Sequence, residues 1–237
     1  MKDDDDNECL SIKTVLVGET GVGKTSIIKQ FTNGVFNEEC IPSISSQYSS
    51  KKILIKGIEK EIKFDLWDTA GQEIYRSLAK IFYKDAKIII FVYDITSKKS
   101  FEGIKKYWYK QITSNCNQEP ILVLIGNKND LYEYQEVKDE EAIKYADSIG
   151  AIFQITSAKS NTGIDKLFNN IGRKLFDPNF DYKKEEENEK QLYNIKKENK
   201  NKIKEEVEEL HFDDNTSIDS VKLFNDFNKK KEKKRCC

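Results

Sequence analysis

No charge of either sign dominates this chain, and residue types that would announce several other functions are scarce. Its 237 residues carry 40 Lys and Arg against 41 Asp and Glu, a formal charge of -1, so the basic excess of a nucleic-acid-binding protein is missing. The one histidine, His211, lies far from any cysteine of the motif-bearing region, which argues against a structural zinc site. No apolar run approaches the roughly 18 residues that mark a membrane-spanning helix, and no basic segment followed by an apolar core stands at the start. An intracellular, thiol-reducing setting is therefore expected, in which the five cysteines (Cys9, Cys40, Cys116, Cys236 and Cys237) are not expected to form a disulfide framework. The length suits one domain of ordinary size plus extensions.

What is present is concentrated in four stretches. Gly18-Glu19-Thr20-Gly21-Val22-Gly23-Lys24-Thr25 is a complete G-x-x-x-x-G-K-[ST] pattern, continued by Ser26. It follows an apolar run, Val15 to Val17, and opens a helical pattern with Ile27, Ile28 and Phe31. Glycines let the backbone wrap a phosphate, and the helix N-terminus adds its positive dipole end. Lys24 then reaches β- and γ-phosphates, and the Thr25 hydroxyl suits Mg²⁺. Alone, such a loop fits a kinase, an ATPase or a GTPase. Asp68, Gly71 and Gln72 lie in Asp68-Thr69-Ala70-Gly71-Gln72-Glu73 after a second apolar segment. There Asp68 can support the metal shell, the Gly71 N–H can approach a γ-phosphate, and Gln72 can both donate to and accept from a water. Asn127, Lys128 and Asp130 follow the apolar run Ile121 to Ile125. A carboxylate at Asp130 accepts guanine's two N–H donors and repels the N1 acceptor of adenine, while the Lys128 stem can cover a base face. Ser157, Ala158 and Lys159 can offer backbone donors to the guanine carbonyl.

Strand and helix patterns alternate along the first three quarters of the chain. Strands are expected near 13–17, 52–56, 61–67, 87–93, 121–126 and 151–155, and helices near 25–33, 78–83, 100–114, 139–149 and 164–176. A hairpin at Lys56-Gly57-Ile58-Glu59 supplies one antiparallel edge strand to a mostly parallel six-stranded α/β sheet with helices on both faces. Ligands of such sheets bind beyond the strands' carboxyl ends, where all four motifs fall.

With those motifs in place, residues 11 to 176 resemble the Ras superfamily of small GTPases, and more narrowly the Rab family. Rab-like stretches are Leu66-Trp67-Asp68-Thr69-Ala70-Gly71-Gln72-Glu73, Ile74-Tyr75-Arg76-Ser77-Leu78, Phe82-Tyr83-Lys84-Asp85-Ala86 and Val92-Tyr93-Asp94-Ile95-Thr96. Tyr145 to Phe153 is similar to the endosomal branch. The resemblance implies a phosphate-loop GTPase fold that binds GTP, GDP and Mg²⁺ and hydrolyses GTP. It also implies that Ser43 takes the place of a switch threonine on the metal, and that Phe36 packs near the guanine. Ser45 stands where the family has glycine, a departure that touches partner choice more than nucleotide binding. Implied partners are an exchange factor, an activating protein, effectors and the chaperones of prenylation and membrane extraction, with no nucleic acid among them. No arginine lies in or beside the first loop, so intrinsic turnover of about 10⁻⁴ to 10⁻³ s⁻¹ is expected. A GTP-holding module with negligible hydrolysis is the alternative.

The ends differ in character. Residues 1–10 begin Met1-Lys2-Asp3-Asp4-Asp5-Asp6, acidic and expected to be disordered. Residues 177–235 are Lys-, Asn- and Glu-rich, too poor in apolar residues for a core, and are expected to form a flexible tail. Within it Ile203, Val207 and Leu210 share a helical face, and Val221, Leu223, Phe224 and Phe227 cluster; both a transient helix and a docking element fit. The run Lys229-Lys230-Lys231-Glu232-Lys233-Lys234-Arg235 gives at most ~5 kcal/mol at an anionic leaflet, too little alone to hold a protein there. Cys236 and Cys237 resemble the Rab double geranylgeranylation signal, which would anchor the chain to the cytoplasmic face of intracellular membranes, with a cytosolic pool.

Overall fold

The computed structural model describes residues 9–38, 46–69, 80–116, 118–185, 187–188 and 191. In chain order the elements are β1 (Leu10–Val17), α1 (Lys24–Asn33), β2 (Gln47–Ile55), β3 (Lys60–Asp68), α2 (Lys80–Tyr83) and β4 (Ile88–Asp94). There follow α3 (Lys98–Gly103), a π-helical turn (Ile104–Trp108), α4 (Tyr109–Asn115), β5 (Ile121–Asn127) and a 3-10 helix (Asn129–Tyr134). The remainder is α5 (Asp139–Ser148), β6 (Ile152–Ile155) and α6 (Ile164–Phe176). Six strands lie in the order β2-β3-β1-β4-β5-β6. Only β2 and β3 pair antiparallel; every other neighbouring pair is parallel.

Central β4 is buried at all its positions, as a strand covered on both faces must be, which explains its unbroken apolar run. One face of the sheet packs α1 and α6. There Phe31 stacks on Phe168 with ring centroids 3.6 Å apart, and Phe64 meets both edge-on. Ile164, Leu167, Phe168 and Ile171 of α6 are buried, the i, i+3, i+4, i+7 stripe of an amphipathic helix. The opposite face packs Phe101, Ile104, Trp108 and Ile112 against Val15, Phe91 and Leu124.

Three boundaries differ from the sequence expectation. Strand β2 starts at Gln47, because polar Tyr48 to Lys51 pair with Trp67 to Phe64 along one exposed edge, a setting that asks little apolar character. The helical stretch after β4 runs from Lys98, capped by the Ser97 hydroxyl, to Asn115, and a π-turn interrupts it. The compact unit closes at Tyr182 rather than at Phe176. Lys174 Nζ donates to the carbonyls of Pro178 and Phe180 at 2.6 and 3.2 Å, and the Arg173 guanidinium lies 4.3 Å over the Phe180 ring. The Phe153 N–H of β6 donates to the Tyr182 hydroxyl at 3.1 Å. Phe180 and Tyr182, with the Lys174 hydrogen bonds, thus hold that segment on the domain. Residues from Lys183 onward fall outside the unit. Expectations for Cys40, Ser43, Ser45, Gly71, Gln72, residues 1–8, the apolar and basic segments of the tail, Cys236 and Cys237 lie outside the described residues.

Candidate functional site

Where β1, β3, β5 and β6 end, their following loops enclose a cavity of about 380 Å³. On one side it is lined by Thr20, Gly21, Gly23, Lys24, Thr25, Ser26 and Thr69. Asn127, Lys128, Asp130, Leu131, Ala158 and Lys159 line the other, and Phe36, Asn37 and Glu38 its rim. Three of the four sequence stretches thus meet in one cavity, joined by Phe36; of the fourth, Thr69 lines it and Asp68 stands behind. Gly18, Glu19, Val22 and Ser157 serve the same loops without being part of the lining.

The Gly18–Thr25 loop is shaped by backbone that side chains resist. Gly23 has φ 97°, and a Cβ there would fall 2.3 Å from Asn127 Nδ2, so conformation and space both demand glycine. Lys24 opens α1 and turns back over the loop, where its ammonium donates to the carbonyls of Gly18 at 3.0 Å and Glu19 at 2.9 Å. Burial holds that ammonium down at about 8, against the opposing attraction of the Asp68 and Glu19 carboxylates. Thr25 Oγ1 donates to Asp68 Oδ2 at 2.5 Å, linking α1 to the end of β3. Thr69 Oγ1 donates to the Leu16 carbonyl at 2.7 Å and ties the same corner to β1. A hydroxyl beside a carboxylate is a hard oxygen donor set, which suits Mg²⁺. A glycine-formed cradle with a buried ammonium suits a polyphosphate.

Opposite, Asn127 is buried and bonds three ways. Its Nδ2 donates to the Val22 carbonyl at 2.9 Å, while Oδ1 accepts from Thr156 Oγ1 at 3.2 Å and the Ala158 N–H at 3.3 Å. Asp130 Oδ1 accepts from Ser157 Oγ at 2.5 Å, which fixes the carboxylate against the cavity. Lys128 takes the left-handed region, φ 70° and ψ 37°, and its ammonium pairs with Asp94 Oδ2 at 2.6 Å. Across the rim Lys159 Nζ and Glu38 Oε1 pair at 2.6 Å, both exposed.

Sequence reasoning passed over Asp94 and Thr156 as supports. Both had a signal: Asp94 lies in register with Asn127 at the end of the neighbouring strand, and Thr156 directly follows β6. Asn37, Glu38 and Leu131 gave none, being ordinary loop residues.

Residues 13–177 match the Ras family. This chain belongs to the Ras family. It is 41% identical over 163 residues to Ras-related protein RabJ of Dictyostelium discoideum, a match covering 69% of this chain and 62% of RabJ, just under two thirds of that relative. It is 39% identical over 167 residues to Ras-related protein Rab-21 of Homo sapiens, covering 70% and 73%. Ras-related protein RABF2b of Arabidopsis thaliana is 37% identical over 169 residues, covering 71% and 83%. Within the Ras family the chain is accordingly a Rab small GTPase, which binds GTP and GDP with Mg²⁺, hydrolyses GTP and works in vesicle traffic. The alternative of a module without hydrolysis has no support among these relatives. No helix among the described residues is long and apolar enough to cross a membrane.

The depressed Lys24 ammonium makes a testable demand. Between about 8 and the ordinary value of 10.5 the folded protein has released this proton while the unfolded chain still holds it. More protons on the unfolded state means that stability of the nucleotide-free protein rises with pH across that window. Relative to Lys24→Met, the gain should be on the order of 3 kcal/mol, measured as urea midpoints at the two ends of the window.

Proposed function

We propose that this Rab binds GTP in the cavity with its phosphates on Gly18–Thr25 and its base between Asn127–Asp130 and Ser157–Lys159. The observation that carries this reading is the convergence of those stretches on one cavity, with Thr25 and Asp68 joined at 2.5 Å on the phosphate side. Lys24 neutralises β/γ charge. Thr25 and Ser43 would hold Mg²⁺, with Asp68 supporting, and the ion would supply positive charge against the phosphates. Gly71 contacts the γ-phosphate and Gln72 orients the water. Asp130 accepts the guanine N–H groups, the Ala158 loop faces the guanine carbonyl, and Phe36 packs beside the base. For Ser43, Gly71 and Gln72 the support is the sequence pattern alone.

We further propose that the chain acts at the cytoplasmic face of endosomal membranes, held by lipids on Cys236 and Cys237 and helped by the basic run before them. Support comes from the Tyr145–Phe153 likeness to the endosomal branch, with which Rab-21 among the relatives is consistent. An exchange factor and an activating protein set its state, effectors read the GTP form, and prenylation and extraction chaperones handle the lipids.

Selectivity is tested by Asp130→Asn, which turns an acceptor into a donor against guanine's N–H groups. It should weaken GTP by ~1.5–3 kcal/mol and favour xanthosine triphosphate, in competition binding with GTP, ATP and XTP. Wild-type protein that holds ATP as tightly as GTP would remove the guanine assignment. For hydrolysis, Gln72→Leu should lose most single-turnover cleavage and keep its GTP affinity; unchanged cleavage assigns the water to another residue. The anchor is tested by changing both Cys236 and Cys237 to Ser. That form should move to the soluble fraction of its own cells with nucleotide still bound, and a double-serine form that still pellets with membranes would locate the anchor elsewhere.

A further inference from the structure

We propose that Glu19, gripped by Trp108 in a slot under Gly103, is a positioning residue of the phosphate loop, through which the π-helical turn keys the long helical stretch to the Lys24 ammonium. This deepens the phosphate-side reading above and rests on it.

Three observations interlock. Trp108 is 1% exposed, and a buried indole N–H requires an acceptor; its Nε1–H donates to Glu19 Oε1 at 3.3 Å. Gly103 supplies the room, because a Cβ built there would stand 2.7 Å from that same Oε1 and 3.2 Å from Glu19 Cγ. The π-turn then brings the two together. Residues five apart on a plain α-helix lie ~140° apart around the axis, on different faces. An i+5 bond widens the turn and brings such residues closer together on one side of the helix. The Tyr109 N–H donates to the Ile104 carbonyl, an i+5 bond, so Gly103 and Trp108, also five apart, can both address Glu19.

Glu19 passes that hold onward. Its carboxylate is tied to Trp108, and its own carbonyl accepts from Lys24 Nζ at 2.9 Å. The chain of contacts runs from helix to Glu19 side chain, to Glu19 backbone, to the ammonium that faces phosphate. π-Turns occur mostly as single turns inside α-helices, frequently at functional sites, and this one ends at Trp108.

The test is release of a fluorescent GDP analogue from the full-length protein, chased with excess unlabelled GDP, alongside melting temperature. Trp108→Phe keeps the ring but loses the donor, and should speed release by about tenfold, the usual effect of a lost hydrogen bond to a charged group. Glu19→Ala should speed release at least as much, and the double variant should be no faster than Glu19→Ala alone, since Trp108 acts through that carboxylate. Glu19→Gln keeps an acceptor for the indole N–H, so release should stay close to the wild-type rate; release as fast as in Glu19→Ala would overturn the hydrogen-bond reading. Gly103→Ala is the sharpest arm. Alanine is the better helix former, so a merely structural glycine predicts equal or higher melting temperature with unchanged release. The proposal expects faster release because the new methyl evicts the carboxylate. It is overturned if the Trp108 and Glu19 effects multiply, or if Gly103→Ala releases GDP at the wild-type rate. Should Trp108→Phe fail to fold, the Glu19 and Gly103 variants decide alone. Lys24→Ala is run beside them: wild-type GDP affinity there would instead sink the phosphate-side reading itself.

Discussion

The amide of Asn127 is the joint on which the site depends. One buried side chain donates to the Val22 carbonyl, 105 residues earlier, and accepts from Thr156 and Ala158, about 30 residues later. The loop after β1, the end of β5 and the loop after β6 therefore share one set of hydrogen bonds. Their partners are buried, so each bond left unmade would cost the desolvation of a buried polar group, ~1–3 kcal/mol. Gly23 completes the joint from the other side, since a larger residue would occupy the space of the amide. No other residue type sets an amide donor beside a separate carbonyl acceptor on so short a stem; aspartate loses the donor and leucine loses both.

This joint explains why the cavity was legible at the motifs and less so between them. Gly23, Lys24, Thr25, Asn127 and Asp130 are each required by chemistry that a residue type and a spacing encode, and all five line the cavity. The parallel sheet was equally legible, because strands buried on both faces, such as β4, leave unbroken apolar runs. By contrast β2 lies along an exposed edge, where Tyr48, Ser50 and Lys52 carry no burial signal, and its start was read five residues late. The π-turn is a matter of one extra residue per turn, and no composition announces it. Neither does the fold-back of Phe180 and Tyr182, whose aromatic rings sit in an otherwise polar stretch.

Asp94 shows how support is supplied by strand register rather than by motif. It pairs in register with Asn127, so the ends of β4 and β5 deliver a carboxylate beside the residue that precedes Lys128. Lys128 itself occupies the left-handed region, a conformation that costs a non-glycine residue free energy. The Asp94 carboxylate accepts from the Thr96 N–H at 2.9 Å and Thr96 Oγ1 at 2.7 Å while pairing with Lys128. The carboxylate is thus already oriented when the ammonium arrives, and the pair offsets the backbone cost with little further ordering. The Lys128 stem is left as part of the cavity wall.

The two sides of the cavity are consequently built from different halves of the sheet. The Asn127 side draws on β4, β5 and β6 with Asp94, Asn127 and Ser157, whereas the Thr25–Asp68 corner draws on α1 and β3. The halves meet along the parallel pairing of β1 with β4, and across the cavity the Asn127–Val22 bond adds one further tie. A nucleotide that touches both sides spans that division. Any ligand that prefers the folded state stabilises it in proportion to the logarithm of its concentration over its dissociation constant. For a ligand that bridges the halves, that free energy resists their separation directly.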